Sequence, residues 1–200
     1  HRLNTDRIDL YQFHWPDPGT PVEDSWNTMA NLQREGKVRY IGVSNFSVGE
    51  LERCRSVAPV QSLQPPYNML NREVENELLP YCSKQGIGVV AYSPMASGML
   101  TEKFDFDKLA PDDWRRKSPR FNPQSRSKVS RLLEELRPVA DRNGLSIGEL
   151  AVAWVLRNES VTAAIVGARK SWQIEETVGG AEVGLSDSDA DAIGRILQNL

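Results

Sequence analysis

His14 closes a short apolar run, between Phe13 and the pair Trp15-Pro16, where a neutral imidazole can offer a hydrogen-bond donor. On pattern alone, a histidine at a strand end is more often a polar rim residue, and Trp15 a packed rim aromatic. Ser44-Asn45 and Gln64 close two further apolar runs. By themselves they read as a helix entry before Phe46 and as a polar cap before Pro65-Pro66. Tyr92 ends a fourth run, where the default for a strand tyrosine is core packing. Gly167-Ala168-Arg169 follows a fifth and opens a helical stretch, whose unpaired N–H groups and dipole suit an anion. Cys54 and Cys82 lack metal-ligand spacing, so they read as buried thiols and no metal site is expected.

These residues sit at the ends of elements that the hydrophobic period defines. Runs rich in Val, Ile, Tyr or Phe at Ile8–His14, Val38–Val43, Val60–Gln64, Gly88–Tyr92 and Thr162–Val166 alternate with helical patterns, the sign of βα units and a parallel sheet. Most of the runs are apolar on both faces, as expected of strands covered on both sides. Capping boxes are predicted at Thr20-Pro-Val-Glu23, Ser47-Val-Gly-Glu50 and Ser146-Ile-Gly-Glu149, with Pro21 at the first helical position. Further helices are predicted over Arg72–Lys84, Ser125–Asn143, Trp172–Ala181 and Asp187–Gln198. The long polar segment Thr101–Gln124 reads as a functional or mobile loop, and its cluster Arg115-Arg116-Lys117 with Arg120 as a solvated face.

A chain of 200 residues with 40% hydrophobic and 26% charged residues has the composition of one ordinary globular domain. Its net charge of −3 and the lack of a long basic run disfavour nucleic-acid and anionic-membrane partners. No apolar stretch approaches a membrane span. The two cysteines fit a reducing compartment, hence a cytoplasmic protein. The chain opens on His1 rather than Met, so residues are expected to precede it.

Five segments together are similar to the aldo-keto reductases. They are Asp9-Leu-Tyr-Gln-Phe-His-Trp-Pro-Asp17, Gly36-Lys-Val-Arg-Tyr-Ile-Gly-Val-Ser-Asn-Phe46, Gln64-Pro-Pro-Tyr-Asn68, Ala91-Tyr-Ser-Pro-Met-Ala-Ser-Gly98, and Ile165-Val-Gly-Ala-Arg169 with Gln173 and Glu176. The resemblance implies an α/β fold, the (β/α)8 TIM barrel of that family, whose chemistry lies at the C-terminal ends of the strands. It assigns the five strands here to barrel strands four to eight, an incomplete five-strand βα segment forming one partial oxidoreductase domain over residues 1–200. It also implies an NADPH-dependent oxidoreductase that reduces aldehyde or ketone carbonyls of small molecules.

By the same resemblance, His14 orients the carbonyl and Trp15 lines the substrate pocket. Ser44, Asn45 and Gln64 bind the nicotinamide carboxamide, and Tyr92 stacks on the nicotinamide ring. Ser93, Pro94, Met95, Ala96, Ser97, Gly98, Leu100 and Lys103 wrap the pyrophosphate. Gly167, Ala168 and Arg169 take the 2′-phosphate end, and Gln173, Glu176 and Thr177 the adenosine half. Two positions depart from the family pattern: Glu102 replaces a usual Gly and is expected to pair with Lys103, and Thr177 replaces a usual Asn. The family's catalytic Asp, Tyr and Lys have no match, since none of Tyr11, Tyr40, Tyr67, Tyr81 or Tyr92 stands in that tyrosine's motif. This chain alone is therefore expected to be inactive. The alternative reading is a non-catalytic NADP(H)-binding subunit resembling the potassium-channel β subunits, against which His14 speaks, since those commonly carry Asn there.

Overall fold

Five strands, β1 (Ile8–Phe13), β2 (Val38–Ser44), β3 (Ser62–Gln64), β4 (Gly88–Tyr92) and β5 (Val161–Ile165), form one sheet in the order β1-β2-β3-β4-β5. The computed structural model describes residues 3–168 and 170–199. Pairing is parallel from β1 to β4, with Gln12 opposite Gly42 and Gly42 opposite Ser62. The order is linear, with β1 and β5 at its two ends. The chain divides into two compact units, one holding the chain up to Tyr67 with Arg72–Tyr92 and Glu159–Ala163, the other Asn68–Asn71, Ser93–Asn158 and Ala164 onward.

In the first unit, helices α1 (Val22–Arg34), α2 (Val48–Val57) and α3 (Leu78–Gln85) connect the strands. Successive strand residues point to opposite faces, so Ile41 and Val43, Leu63, and Val89 and Ala91 form one buried apolar surface. Trp26, Leu51, Cys54, Leu79 and Cys82 supply the helical side of that core. The Trp26 indole N–H is satisfied by the Ala58 carbonyl at 2.9 Å. Arg53 of α2 grips Glu23 of α1 through two hydrogen bonds of 2.6 Å, a fork geometry that sets the two helices side by side. Gly36 ends α1 in the left-handed region (φ 73°), with Gly36 and Lys37 N–H groups returning to Gln33 and Leu32. That double bond is the Schellman stop, and it turns the chain straight into β2.

The capping boxes at Ser47 and Ser146 form as expected. The one at Thr20 does not: its hydroxyl donates to Asp17 at 2.6 Å, and Pro21, expected at the first helical position, becomes the N-cap of α1. An aspartate three residues upstream, already accepting from the Gly19 N–H, outcompetes the helix for that hydroxyl. β1 also departs from expectation. It is not buried on both faces, and Leu10 and Tyr11 are exposed, because an edge strand lacks neighbours on one side. The stretch read as one helix from Arg72 splits into a 3₁₀ turn, Glu73–Glu75, followed by α3.

In the second unit, α4 (Pro123–Arg142), α5 (Ile147–Leu156) and α7 (Asp187–Gln198) surround a core of Leu132, Leu136, Ala140, Ile147, Leu150 and Ile193, while α6 (Ser171–Val178) has no buried residue. Asp189, in the first turn of α7, takes hydrogen bonds from Ser186, Asn143 and Arg142, tying that turn to the end of α4. These three partners hold its carboxyl below the ordinary value of 3.8. Among the described residues, no helix is long and apolar enough to cross a membrane.

Candidate functional site

In the first unit, the ends of β1, β2, β3 and β4 bring together His14, Ser44, Asn45, Gln64 and Tyr92. Ser44 is buried, and its hydroxyl donates to the Gln64 carbonyl at 2.8 Å; the Asn45 N–H adds a second bond to that carbonyl at 3.2 Å. Asn45 lies in the left-handed region (φ 64°), which asparagine tolerates better than most residues. Turned this way, its amide nitrogen donates to Ser44 Oγ at 2.9 Å and to the His14 carbonyl at 3.0 Å. Its amide oxygen accepts from the Tyr92 hydroxyl at 2.8 Å. One side chain thus brackets three strand ends, and Tyr92 is fixed by both its ring tip and its main chain, which bonds Pro65 and Tyr67.

His14 follows β1 and is exposed, with its ring centroid 6.1 Å from that of Trp15, itself 57% exposed. Two neighbours that the motif reading passed over complete the cluster. Gln64 donates its amide N–H to the Gln12 oxygen, and the Gln12 nitrogen donates to Ser62 Oγ at 2.8 Å. The signal for both was present: Gln12 stands two residues before His14, and Ser62 two before Gln64, so strand alternation puts them on the same face.

In the second unit, Ser93, Ala96, Ser97 and Gly98 all have positive φ (56°, 48°, 57° and 100°). Left-handed backbone at a non-glycine residue costs about 1–3 kcal/mol, so the surroundings must fix it. They do so through carbonyls: Asn68 donates to Ser93 O at 3.0 Å, Thr101 to Gly98 O at 2.8 Å and Arg115 to Ser97 O at 3.1 Å. Pro94 and Leu100 are buried beside this run, while Met95 packs against the second unit's core. The segment also closes on itself, with the Ala96 N–H donating to Ser93 O at 2.9 Å, and the Gly98 and Leu100 N–H groups to Met95 O at 3.0 and 3.1 Å.

Two readings of this stretch are corrected. Arg115 is not part of a solvated face: it is 17% exposed, forks onto Asp113 and spans to Ser97 O. Arg116, Lys117 and Arg120 are exposed as expected, and Arg116 also bonds the carbonyls of Asp107, Leu109 and Ala110. Glu102 does not pair with Lys103. It binds Arg137 of α4 and accepts from the Ile147 N–H at the start of α5. Lys103 instead pairs with Glu176 and lies 5.0 Å from the Trp172 ring centroid. The structure therefore brings together two of the predicted adenosine and pyrophosphate residues. Gln173 caps the Lys170 N–H at 3.0 Å, and Thr177 returns its hydroxyl to the Gln173 carbonyl at 3.0 Å. Gly167 and Ala168 are exposed after β5, and Arg169 lies outside the described residues.

Burial pushes the Cys54 thiol up to about 12 and the Cys82 thiol up to about 11, so neither serves as a nucleophile. Among the described residues, no group of three or more His, Cys, Asp or Glu is placed to hold a metal ion.

The model of the aldo/keto reductase family matches residues 1–198. The chain is 38% identical over 203 residues to the aldo-keto reductase YhdN of Bacillus subtilis (strain 168), covering 99% of this chain and 60% of that protein. It is 33% identical over 202 residues to the NADH-specific methylglyoxal reductase of Escherichia coli (strain K12), covering 100% of this chain and 62% of that protein. Among solved structures, the glycerol dehydrogenase AKR11B4 from Gluconobacter oxydans superposes with a TM-score of 0.89 at 36% identity, over 99% of this chain and 61% of that one. The chain thus spans about three fifths of the length of these relatives.

Proposed function

Because the chain belongs to the aldo/keto reductase family, whose members are oxidoreductases acting on aldehydes and ketones, we propose that it provides the cofactor-holding part of an NADPH-dependent carbonyl reductase. The observation that carries this reading is the Asn45 bracket. The residues it joins offer what a nicotinamide ring with a carboxamide needs, namely amide and hydroxyl groups at one end and the flat face of a fixed tyrosine beside them. Ser44, Asn45, Gln64 and Tyr92 of the first unit would hold the nicotinamide. In the second unit, the segment Ser93–Gly98 with Leu100 and Lys103 would wrap the pyrophosphate, and Gln173, Glu176 and Thr177 would face the adenosine half.

The cofactor, when bound, supplies a hydride to the carbonyl carbon. The chain's own contribution to that chemistry is His14, whose imidazole N–H would align the carbonyl oxygen and stabilise negative charge on it. Trp15 would wall the substrate pocket. The proton donor and the Lys and Asp that tune it have no counterpart in these 200 residues, so the chain by itself would not turn over. Small carbonyl compounds fit best as substrates, in line with relatives named for methylglyoxal and glycerol. The two free, buried cysteines support a cytoplasmic location.

Preference for NADPH would rest on Arg169, with Lys170 as a helper, since a guanidinium grips a phosphate bidentately. A relative named as NADH-specific shows why this choice needs its own test. Arg169→Ala should weaken NADPH about ten- to a hundredfold, the worth of a charge-assisted hydrogen bond, and leave NADH almost unchanged. Fluorescence titration of both cofactors decides it, and parallel losses would rule the assignment out. For turnover, the 200-residue chain mixed with NADPH and a reactive aldehyde should consume no cofactor; consumption at the rate of a complete relative would refute the division of labour.

A further inference from the structure

Gln12, Gly42 and Ser62 stand in one row across three parallel strands. Neighbouring strands are about 4.8 Å apart, so Gln12 and Ser62 are separated by two such steps with Gly42 between them. A side chain on the middle strand would block the way. A Cβ at position 42 would lie 2.4 Å from Ser62 Oγ and 2.8 Å from Ser62 O. With glycine there, the Gln12 side chain crosses β2 and donates to Ser62 Oγ at 2.8 Å. Its other end accepts from Gln64.

Gln64 is therefore held twice. Its carbonyl is fixed by Ser44 Oγ and the Asn45 N–H, and its side-chain amide by Gln12. A terminal carboxamide rotates freely between two nearly equivalent orientations that exchange donor and acceptor. The Gln12 contact selects one: the Gln64 nitrogen turns toward β1, and its oxygen is the end left to accept.

We propose that Gln12, anchored on Ser62 across Gly42, is a positioning residue that orients the Gln64 carboxamide as an acceptor, so that the chain selects a pyridine ring bearing a primary carboxamide. This rests on the reading above that Gln64 meets the nicotinamide. Gln12 itself touches no reacting atom. It acts on the ligand only through the orientation of its neighbour, which makes its effect a matter of selectivity between ring substituents rather than of overall affinity.

The test compares calorimetric binding of NADP⁺ and of its 3-acetylpyridine analogue, in which a methyl group replaces the amide NH₂, to the full protein. Wild type should prefer NADP⁺ by about five- to tenfold, the worth of one hydrogen bond. Gln12→Met should bring the ratio to within about twofold of unity while leaving the affinity for the analogue intact, since only the amide bond is lost. Ser62→Ala should do the same from the far end of the relay, and it decides by the same ratio if Gln12→Met binds neither ligand. Gln12→Glu, which keeps an oxygen for the Gln64 N–H, should retain the preference. Full preference in Gln12→Met or Ser62→Ala, with loss in Gln64→Met, would overturn the role of Gln12 and leave that of Gln64 standing. Full preference in Gln64→Met would overturn both.

Discussion

Gly42→Ala puts a methyl group into a tight inter-strand contact of the first unit. The new carbon would sit 2.4 Å from the Ser62 hydroxyl and 2.8 Å from the Ser62 carbonyl oxygen. The hydroxyl can rotate aside, but the carbonyl belongs to the neighbouring strand, so β2 and β3 must separate locally. Overpacking of this kind costs about 1–3 kcal/mol. The displaced Ser62 hydroxyl also loses Gln12, worth about 0.5–1.5 kcal/mol more. A total near 2–4 kcal/mol, with a urea slope of about 2 kcal/mol per molar, lowers the unfolding midpoint by about 1–2 M. Urea unfolding followed by circular dichroism reads this directly. Gly49→Ala in α2 is the internal control: nothing lies within 4 Å of its new carbon, and helix propensity favours alanine, so its midpoint should hold or rise slightly. A Gly42→Ala midpoint equal to wild type would refute the claim that glycine is required there.

If the full protein is the carbonyl reductase proposed above, His14→Ala in it should lower kcat/KM by about 100- to 1000-fold, as for loss of one oxyanion donor, with NADPH affinity little changed; equal catalysis would demote His14 to a rim residue. Cys54 and Cys82 should resist iodoacetamide at pH 8 in the folded protein and react once it is unfolded, since burial keeps both thiols protonated. Modification of the native state, detected by mass spectrometry, would contradict that burial. Asp189 has its carboxyl held below 3.8, so the stability it contributes is present above that value and lost as pH falls through its folded-state value. Asp189→Asn should therefore lower Tm at pH 7, with the gap from wild type closing in strong acid, whereas a gap independent of pH would exclude the charge as its cause.

Helix starts were legible wherever the local sequence held every participant. At Ser47 and Ser146 the glutamate three residues on completes a box that needs nothing else. At Thr20 the deciding residue, Asp17, lies outside the four-residue pattern, and the hydroxyl donates to it instead of accepting from the helix N–H groups. Strand-end residues were legible for a similar reason, since Ser44, Asn45, Gln64 and Tyr92 announce themselves by ending apolar runs before Pro or a turn. Gln12 and Ser62 were hidden because their partnership depends on register. Only the pairing of β1, β2 and β3 reveals that a glycine separates them. Arg115 was misread because exposure follows from tertiary contacts: a run of three basic residues reads as a solvated face until Asp113 and the Ser97 carbonyl are placed around the first of them. Glu102 was assigned to its sequence neighbour, while the structure gives it Arg137, 35 residues away.

Binding of NADPH to the wild-type protein and to Asn45→Ala tests the cofactor role most directly. Asn45 holds Ser44, the His14 carbonyl and Tyr92 in place, and losing one or two hydrogen bonds to the nicotinamide carboxamide, its own or those of the groups it positions, is worth roughly ten- to a hundredfold in affinity. Saturable one-to-one binding by wild type, weakened by that factor in Asn45→Ala, is the predicted result. Absence of saturation in the wild type, or equal affinity in the two proteins, would contradict it.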